Sequence, residues 1–252
     1  MLDRLEESFG RLAQFSADIA HELRTPVNNL RGEAEVTLSR PRSVEEYRDV
    51  LGSNLEECVR LSRMIDSLLF LARAENPRTQ IEKEPLSVGR ELTAVQAFYE
   101  ASAAEAGVRL AVAECGEMIV VANRPLLQRA VGNLVANALA HTPPGGTVAL
   151  SAMSAEGMIR IEVLDTGCGI PAEHVPRLFD RFYRVDRARS SATGGVGLGL
   201  AIVKGIAELH GGSVTLTSGV GRGTCITLQL PAGPAGDGKL TSPPSPRTSY
   251  GS

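Results

Sequence analysis

At 252 residues the chain is longer than one hydrophobic core usually fills, since single cores seldom grow beyond ~250 residues, so two domains are expected. Lys and Arg total 26 against 29 Asp and Glu, a net charge of −3, which leaves no global positive field to hold nucleic acid or an anionic membrane surface. Hydrophobic residues reach 43% but aromatics only 4%, with no Trp, so the core must be aliphatic.

The N-terminal segment carries an apolar residue at alternating spacings of three and four: Leu2, Leu5, Phe9, Leu12, Ser16, Ile19, Leu23, Pro26 and Leu30. This is the seam of a helix that packs along a partner. After the breaker Ser39-Arg40-Pro41-Arg42 the pattern repeats through Leu51, Leu55, Cys58, Ser62, Ile65, Leu69 and Ala72. Two helices of roughly 30 residues and ~45 Å each, joined by a short turn, form a helical hairpin. Leu61, Met64, Leu68 and Leu71 widen the apolar face of the second helix beyond what one partner helix covers. Pairing two hairpins into a four-helix bundle would bury it, which predicts a homodimer; the alternative is a hairpin lying on the second domain.

Asn76-Pro77 ends the helical pattern. Beyond it the sequence predicts strands near 81–86, 109–113, 118–121, 147–153, 158–164, 213–217 and 224–230, and helices near 88–106, 124–141, 171–179 and 198–209. Strands joined by short turns, with helices grouped between them, predict a largely antiparallel or mixed sheet covered on one face. The stretch from Pro231 to Ser252 is rich in Pro, Gly and Ser and has little to bury, so it is predicted to be disordered. No apolar run approaches the ~20 residues that span a bilayer, and the first residues are charged where a signal peptide is apolar, so the chain as given is expected to be cytosolic. The four cysteines, Cys58, Cys115, Cys168 and Cys225, form no C-x-x-C pair and are expected to be free, mostly buried thiols.

His21 stands beside Glu22 on the first helix. A zincin site would need a second His four residues on, where this chain has Thr25, so zinc is excluded. Off the Ile19 and Leu23 seam, the imidazole of His21 faces solvent and can act as a nucleophile with Glu22 orienting it. Taken alone, such a pair is more often a solvated surface pair. Pro26 removes one helical hydrogen bond just beyond His21 and favours a kink.

In the second domain, Asp165-Thr166-Gly167-Cys168-Gly169-Ile170 follows an apolar strand. There a carboxylate can accept from an exocyclic amine while glycines let the backbone approach a flat ring; alone, it is a strand-to-helix turn. Gly194 to Leu200 opens the last helix with glycines, as a phosphate cradle does, but matches neither the Walker loop nor the dinucleotide fingerprint. Gly221-Arg222-Gly223-Thr224 reads as a hairpin turn. Asn133 and Asn137 lie one helical turn apart, so both oxygens can face one hard cation held jointly with phosphates.

Taken in order, these segments resemble a bacterial two-component sensor histidine kinase, from about Phe9 to Leu230. His21 to Pro26 is similar to the phosphoacceptor box, and Asn133 to Ala138 with His141-Thr142-Pro143 to the magnesium and nucleotide box. Asp165 to Ile170 is similar to the adenine box, Phe179 to Arg184 to the box that starts the ATP lid, and Gly195 to Leu200 to the last glycine box. The resemblance implies an α plus α/β architecture. Residues 1–76 would be the dimerisation and phosphotransfer domain and 77–231 a two-layer α/β sandwich shared with gyrase, Hsp90 and MutL, followed by a tail over 232–252. The wording FSADIAHELRTP is also similar to the heavy-metal, copper and silver, sensor branch.

By the same resemblance, His21 accepts the phosphoryl group from ATP, Glu22 assists proton removal, and Thr25 places a water that dephosphorylates the partner, a cognate response regulator. Nucleotide contacts fall to Asn133, Asn137, His141, Asp165, Gly167, Gly169, Ile170, Arg181, Tyr183, Gly195, Gly197, Leu198, Gly199, Leu200 and Thr224, with Mg²⁺ held through ATP by Asn137 and secondarily by Asn133. Two positions depart from the pattern: Ala140, where a basic residue is common, and Val196, where Thr or Ser is common, so phosphate contacts are expected to be fewer. Relatives carry membrane helices and a linker domain before the first helix, so the chain is expected to be the cytoplasmic part of an inner-membrane protein. Two other classes remain alternatives: a non-catalytic ATP-binding scaffold that sequesters a regulator, and an ATP-driven clamp with no use for His21.

Overall fold

A computed structural model describes residues 2–76, 78–185 and 196–233. Two long helices come first, α1 (Leu2–Leu38) and α2 (Val44–Ala74), as the two seams predict. Ser43 starts α2 with a capping box: its Oγ accepts the Glu46 N–H at 3.1 Å, and the Glu46 carboxylate accepts the Ser43 N–H at 2.8 Å. Helix α1 runs on through Pro26, which is buried, and the Thr25 hydroxyl donates to the His21 carbonyl at 3.4 Å beside the missing N–H. The side chains from Leu2 to Ser16 lie outside the described residues.

The second seam does not pack as expected. Leu51 and Leu55 remain 66% exposed, and Ile65 and Leu69 about half exposed, whereas the flanking Met64, Leu68 and Leu71 are buried. The reason is that the second domain rests on this flank, where Phe70, Leu71 and Ala74 lie within 3.8 Å of a Cβ placed on Gly205. The hairpin therefore lies on its neighbour and still leaves one apolar stripe uncovered.

The second domain follows as β1 (Glu84–Ser87), α3 (Val88–Glu105), β2 (Arg109–Val112), β3 (Ile119–Ala122), α4 (Arg124–His141), β4 (Thr147–Ala155), β5 (Met158–Asp165), α5 (Gly199–Leu209), β6 (Ser213–Ser218) and β7 (Thr224–Pro231). Five strands form a sheet in the order β2-β4-β5-β7-β6, antiparallel except for the parallel β2–β4 pair. The sheet is mixed, as the strand and helix order predicts. β1 and β3 form a separate antiparallel ribbon, onto which Ala232 bridges at Val120 and Gly233 donates its N–H to Ile119. Strands β5 and β7 bury alternate residues, Ile159, Ile161 and Val163 against Ile226, Leu228 and Leu230, so one face packs on the helices. Glu91 of α3, buried, accepts from Arg124 and Gln128 of α4 at 2.8 Å each and joins the two helices. No described helix is long and apolar enough to cross a membrane.

The helix expected over 171–179 is instead a run of turns with one short 3₁₀ segment, Val175–Arg177. Pro171 and Pro176 supply no N–H, and the bonds that form, His174 to Pro171, Val175 to Ala172 and Arg177 to His174, close tight three-residue steps.

Helix α4 starts where expected because Asn123 caps it, its Oδ1 accepting the Leu126 N–H at 3.1 Å. The Asn123 N–H itself donates to Nε2 of the buried His210 at 2.9 Å, while Nδ1 of that ring donates to the Ile206 carbonyl at 2.7 Å. Both ring positions are thus committed to the neutral form. Burial holds the His210 pKa below its ordinary 6.5, against the pull of the Ile206 carbonyl and with help from Lys83. The unfolded chain therefore takes up this proton first, and the stability held above that value is lost as pH falls through the lower native one. Thermal unfolding followed from pH 7 to pH 5 should show a falling midpoint, and His210→Gln, an amide that can accept from Asn123 without titrating, should flatten that slope; equal slopes would remove His210 as its source.

Candidate functional site

The alternation of β5 delivers Asp165, its last residue, to the same buried side as Ile159, Ile161 and Val163, and leaves it 7% exposed. One oxygen, Oδ1, accepts the Gly167 N–H at 2.8 Å and the Thr224 N–H at 3.2 Å, while Oδ2 has no hydrogen-bond partner among the described residues. Burial raises the carboxyl pKa above 3.8, opposed by those two N–H groups and by His141. A Cβ on Gly167 would strike the His141 carbonyl, which accepts the Cys168 N–H at 3.4 Å. Gly169, at φ +70°, passes so close to the Gly219 carbonyl that a side chain there would collide with it.

The turn after β5 is thereby laid against the turn between β6 and β7. The Gly221 N–H donates to the Cys168 carbonyl at 2.8 Å, and the Ile170 N–H to Ser218 Oγ at 2.9 Å. Ser218 in turn donates to the Gly223 carbonyl and lies 2.9 Å from the Thr224 hydroxyl. Asp165, Gly167, Gly169, Ile170, Thr224 and the His141 backbone are brought together as the motif spacing expects. Ser218 was not singled out; its only signal is its place at the end of an alternating strand, just before the glycine turn.

The α4 pair reaches the same region from below. Asn133 Nδ2 donates to the Gly199 carbonyl at 3.5 Å, and Asn137, half-buried, follows one turn later. Gly199 begins α5, Leu198 is buried before it, and Leu200 is partly buried in its first turn. The N–H groups of Gly199, Leu200 and Ala201 have no acceptor among the described residues, and a Cβ on Gly199 would meet nothing within 4 Å. Free donors at the positive end of an open helix suit an anion. Gly195 lies outside the described residues, and Val196 packs on the core.

Arg181 and Tyr183 are not brought to Asp165. Arg181 makes an ion pair with Glu75 at the end of α2, and the Tyr183 hydroxyl lies 2.7 Å from His174 Nδ1 with Arg177 stacked on its ring at 4.4 Å. Phe182 between them has φ +60°, a conformation that a bulky side chain rarely adopts, and its N–H donates to the Gly197 carbonyl at 2.9 Å. His174, too, was missed, since only the fold places it against Tyr183.

His21 is exposed on α1, with Glu22 half-buried and Thr25 exposed one turn on. Among the described residues no three of His, Cys, Asp and Glu are grouped to hold a metal ion. The amide oxygens of Asn133 and Asn137 fit a hard cation only in the way Mg²⁺ is usually held, by one or two side chains with phosphates supplying the rest.

Two family models match the chain: "His Kinase A (phospho-acceptor) domain" over residues 11–77 and "Histidine kinase-, DNA gyrase B-, and HSP90-like ATPase" over residues 122–234. The sensor protein IrlS of Burkholderia pseudomallei is 46% identical over 232 residues, 92% of this chain and 50% of that protein. The sensor histidine kinase CusS of Escherichia coli (strain K12) is 46% identical over 233 residues, 92% of this chain and 48% of the relative. The chain thus spans about half the length of the curated relatives it matches. Among solved structures, full-length ShkA in complex with AMPPNP aligns with a TM-score of 0.67 and 27% identity over 87% of this chain and 46% of that one.

The buried carboxylate has a measurable consequence. Asn at position 165 keeps an acceptor for Gly167 and Thr224 and removes a desolvated charge. The native carboxyl takes up its proton before the unfolded one, so its penalty is present above the raised pKa and is relieved as pH falls toward 3.8. Asp165→Asn should melt at or above the wild-type temperature at pH 7, the difference shrinking on acidification; a clearly lower midpoint at pH 7 would contradict the burial account.

Proposed function

This chain belongs to the histidine kinase family, and we propose that it transfers the γ-phosphoryl group of ATP to His21 and then to an aspartate of a response regulator. The observation that carries this reading is the presence, in one chain, of an exposed His21 beside Glu22 and, at the end of β5, a buried carboxylate that keeps one oxygen without a partner among the described residues. Asp165 Oδ2 accepts the adenine amino group, with the tightly packed turn at Gly167 and Gly169, Ile170 and Thr224 beside the flat base. The free N–H groups of Gly199 and Leu200, at the positive end of α5, hold phosphate oxygens. Mg²⁺, held by Asn137 and Asn133 together with the nucleotide, would neutralise phosphate charge.

In the first transfer, a lone pair on one ring nitrogen of His21 forms the N–P bond as the bond from phosphorus to the β,γ-bridging oxygen breaks. ADP leaves with that electron pair, and the proton on the other ring nitrogen passes to Glu22. In the second, a carboxylate oxygen of the regulator takes the phosphoryl group and the pair returns to the ring. The exposed apolar stripe Leu51, Leu55, Ile65 and Leu69 supports a homodimer, a second copy covering it as a four-helix bundle. The resemblance of the His21 segment to the heavy-metal sensor branch belongs to the same proposal.

The test is label from γ-³²P-ATP, which on histidine is lost in acid and kept in base. His21→Gln should abolish it while nucleotide binding by calorimetry stays near normal, because the pocket lies in the other domain. Base-stable label in the mutant would refute the assignment, and a wild-type chain that binds ATP without labelling would fit the scaffold instead.

Thr25 is proposed to place a water on the regulator's phospho-aspartate, since a neutral hydroxyl binds water without adding charge near the phosphoryl group. Its hydroxyl faces the His21 carbonyl, so a purely structural role predicts a weakened helix instead. Thr25→Ala should keep autophosphorylation within a few-fold and slow regulator dephosphorylation by ~10-fold or more. Equal loss of both activities would mean that Thr25 serves only the helix.

A further inference from the structure

Three polar side chains stand in a row across adjacent strands at one end of the sheet. Asp165 of β5 is the register partner of Thr224 on β7, and Thr224 is in turn the partner of Ser218 on β6. Alternation puts all three on the face that carries Val163, Ile226 and Leu216, where Asp165 and Thr224 are buried. Residues directly opposite on one face of antiparallel strands are within side-chain reach, and Ser218 Oγ lies 2.9 Å from Thr224 Oγ1.

The direction of each hydrogen bond in this row follows from what the hydroxyls have to give. A serine hydroxyl holds one hydrogen and two lone pairs. Ser218 Oγ accepts the Ile170 N–H at 2.9 Å and gives its hydrogen to the Gly223 carbonyl at 2.9 Å. One lone pair is left, and it faces the Thr224 hydroxyl, so Thr224 donates to Ser218. The reverse direction satisfies fewer groups: Ser218 would abandon the Gly223 carbonyl, and the Thr224 hydrogen would have no acceptor among the described residues. With its hydrogen committed, Thr224 Oγ1 has only lone pairs to offer a ligand. Asp165 beside it, as a carboxylate, also only accepts, and its Oδ2 has no partner among the described residues. The N–H groups of Gly167 and Thr224 are spent on Asp165 Oδ1, and that of Ile170 on Ser218. The side chains of this row therefore present acceptors and no donor.

We propose that Ser218 is a positioning residue for base selection: by taking the Thr224 hydrogen it keeps the Asp165 and Thr224 pair acceptor-only, so that a purine with a 6-amino group is taken and one with a 6-oxo group is refused. This rests on the nucleotide reading above and deepens it, because the choice of base then depends on a residue that does not itself touch the base. An amino group gives one hydrogen to Asp165 Oδ2 and the other toward Thr224 Oγ1, directly or through a water. A carbonyl at the same place would bring a third acceptor to two that have no hydrogen to turn toward it. Without Ser218 Oγ the Thr224 hydroxyl is free to rotate and donate, and that refusal is lost.

Calorimetry of the full chain with ADP and with inosine diphosphate, each with Mg²⁺, tests it, since inosine carries an oxo group where adenosine carries the amine. The unsubstituted chain should favour ADP by about a hundredfold or more. Ser218→Ala should cut that ratio by about tenfold or more, with ADP weakened and inosine diphosphate held or strengthened. Equal weakening of both nucleotides, which looser turns alone would cause, overturns the proposal, and so does no change in either. Ser218→Thr keeps the hydroxyl and should hold the ratio within about threefold, where a loss as large as that of Ser218→Ala would count against the hydroxyl. Thr224→Val, close in shape but without a hydroxyl, checks the route: it should lower the ratio by itself, and Ser218→Ala added to it should change the ratio no further. A second drop would mean that Ser218 does not act through Thr224. The unsubstituted chain is measured first: binding of neither nucleotide overturns the nucleotide reading and this proposal with it, whereas normal ADP binding and labelling of His21 with an unmoved ratio overturn this proposal alone.

Discussion

A carboxylate taken out of water has to be met by donors, and the way Asp165 is met organises the whole nucleotide domain. Only one of its oxygens has partners among the described residues, and these are backbone N–H groups from two different turns, so the end of β5, the glycine turn after it and the start of β7 are drawn to one point. The crowding that follows explains why side chains are excluded at positions 167 and 169 and why Ser218 sits where it can bridge the two turns. A neutral residue would satisfy the same donors at lower desolvation cost.

The hairpin shows a different use of burial. Helix α2 carries two apolar stripes, and the chain covers one of them with its own second domain, using aliphatic side chains, a stacked arginine and an ion pair at the rim. The other stripe stays in water at a cost of order 25 cal/mol for each Å² of apolar surface left uncovered. Of the two coverings that the pattern of α2 allows, a partner helix and a neighbouring domain, the second is used on one face and the other face is left open.

What could be read from the chain alone depended on whether the cause was local. The bounds of α4 were legible because Asn123, Pro125 and the apolar period all lie within the segment. The tight turn after β5 was legible because its carboxylate and glycines, Asp165, Gly167 and Gly169, lie at alternate positions of one short segment. The helix expected over 171–179 failed because two prolines outweigh a short apolar pattern, and heptad spacing alone does not say which of the two adjacent stripes of α2 the second domain covers. Arg181 and Tyr183 pair with Glu75 and His174 on either side of Phe182, whose left-handed conformation no local signal announces. Ser218, at 48 residues from the Ile170 N–H it accepts, could be found only in three dimensions.

Gly205 gives the contact between α5 and α2 an unusual character. Helices that interlock by side chains must move apart before either can turn, but here a bare backbone meets Phe70, Leu71 and Ala74 at ordinary van der Waals distance, with nothing projecting into the opposite helix from that position. Rotation about this point trades one smooth contact for another. Sliding along α2 would instead separate the Arg129 and Arg181 contacts, which lie at Ser67 and Phe70 on one side and at Glu75 on the other. The smooth contact at Gly205 is thus bracketed along α2 by two arginine contacts, and these oppose sliding of one domain along the other.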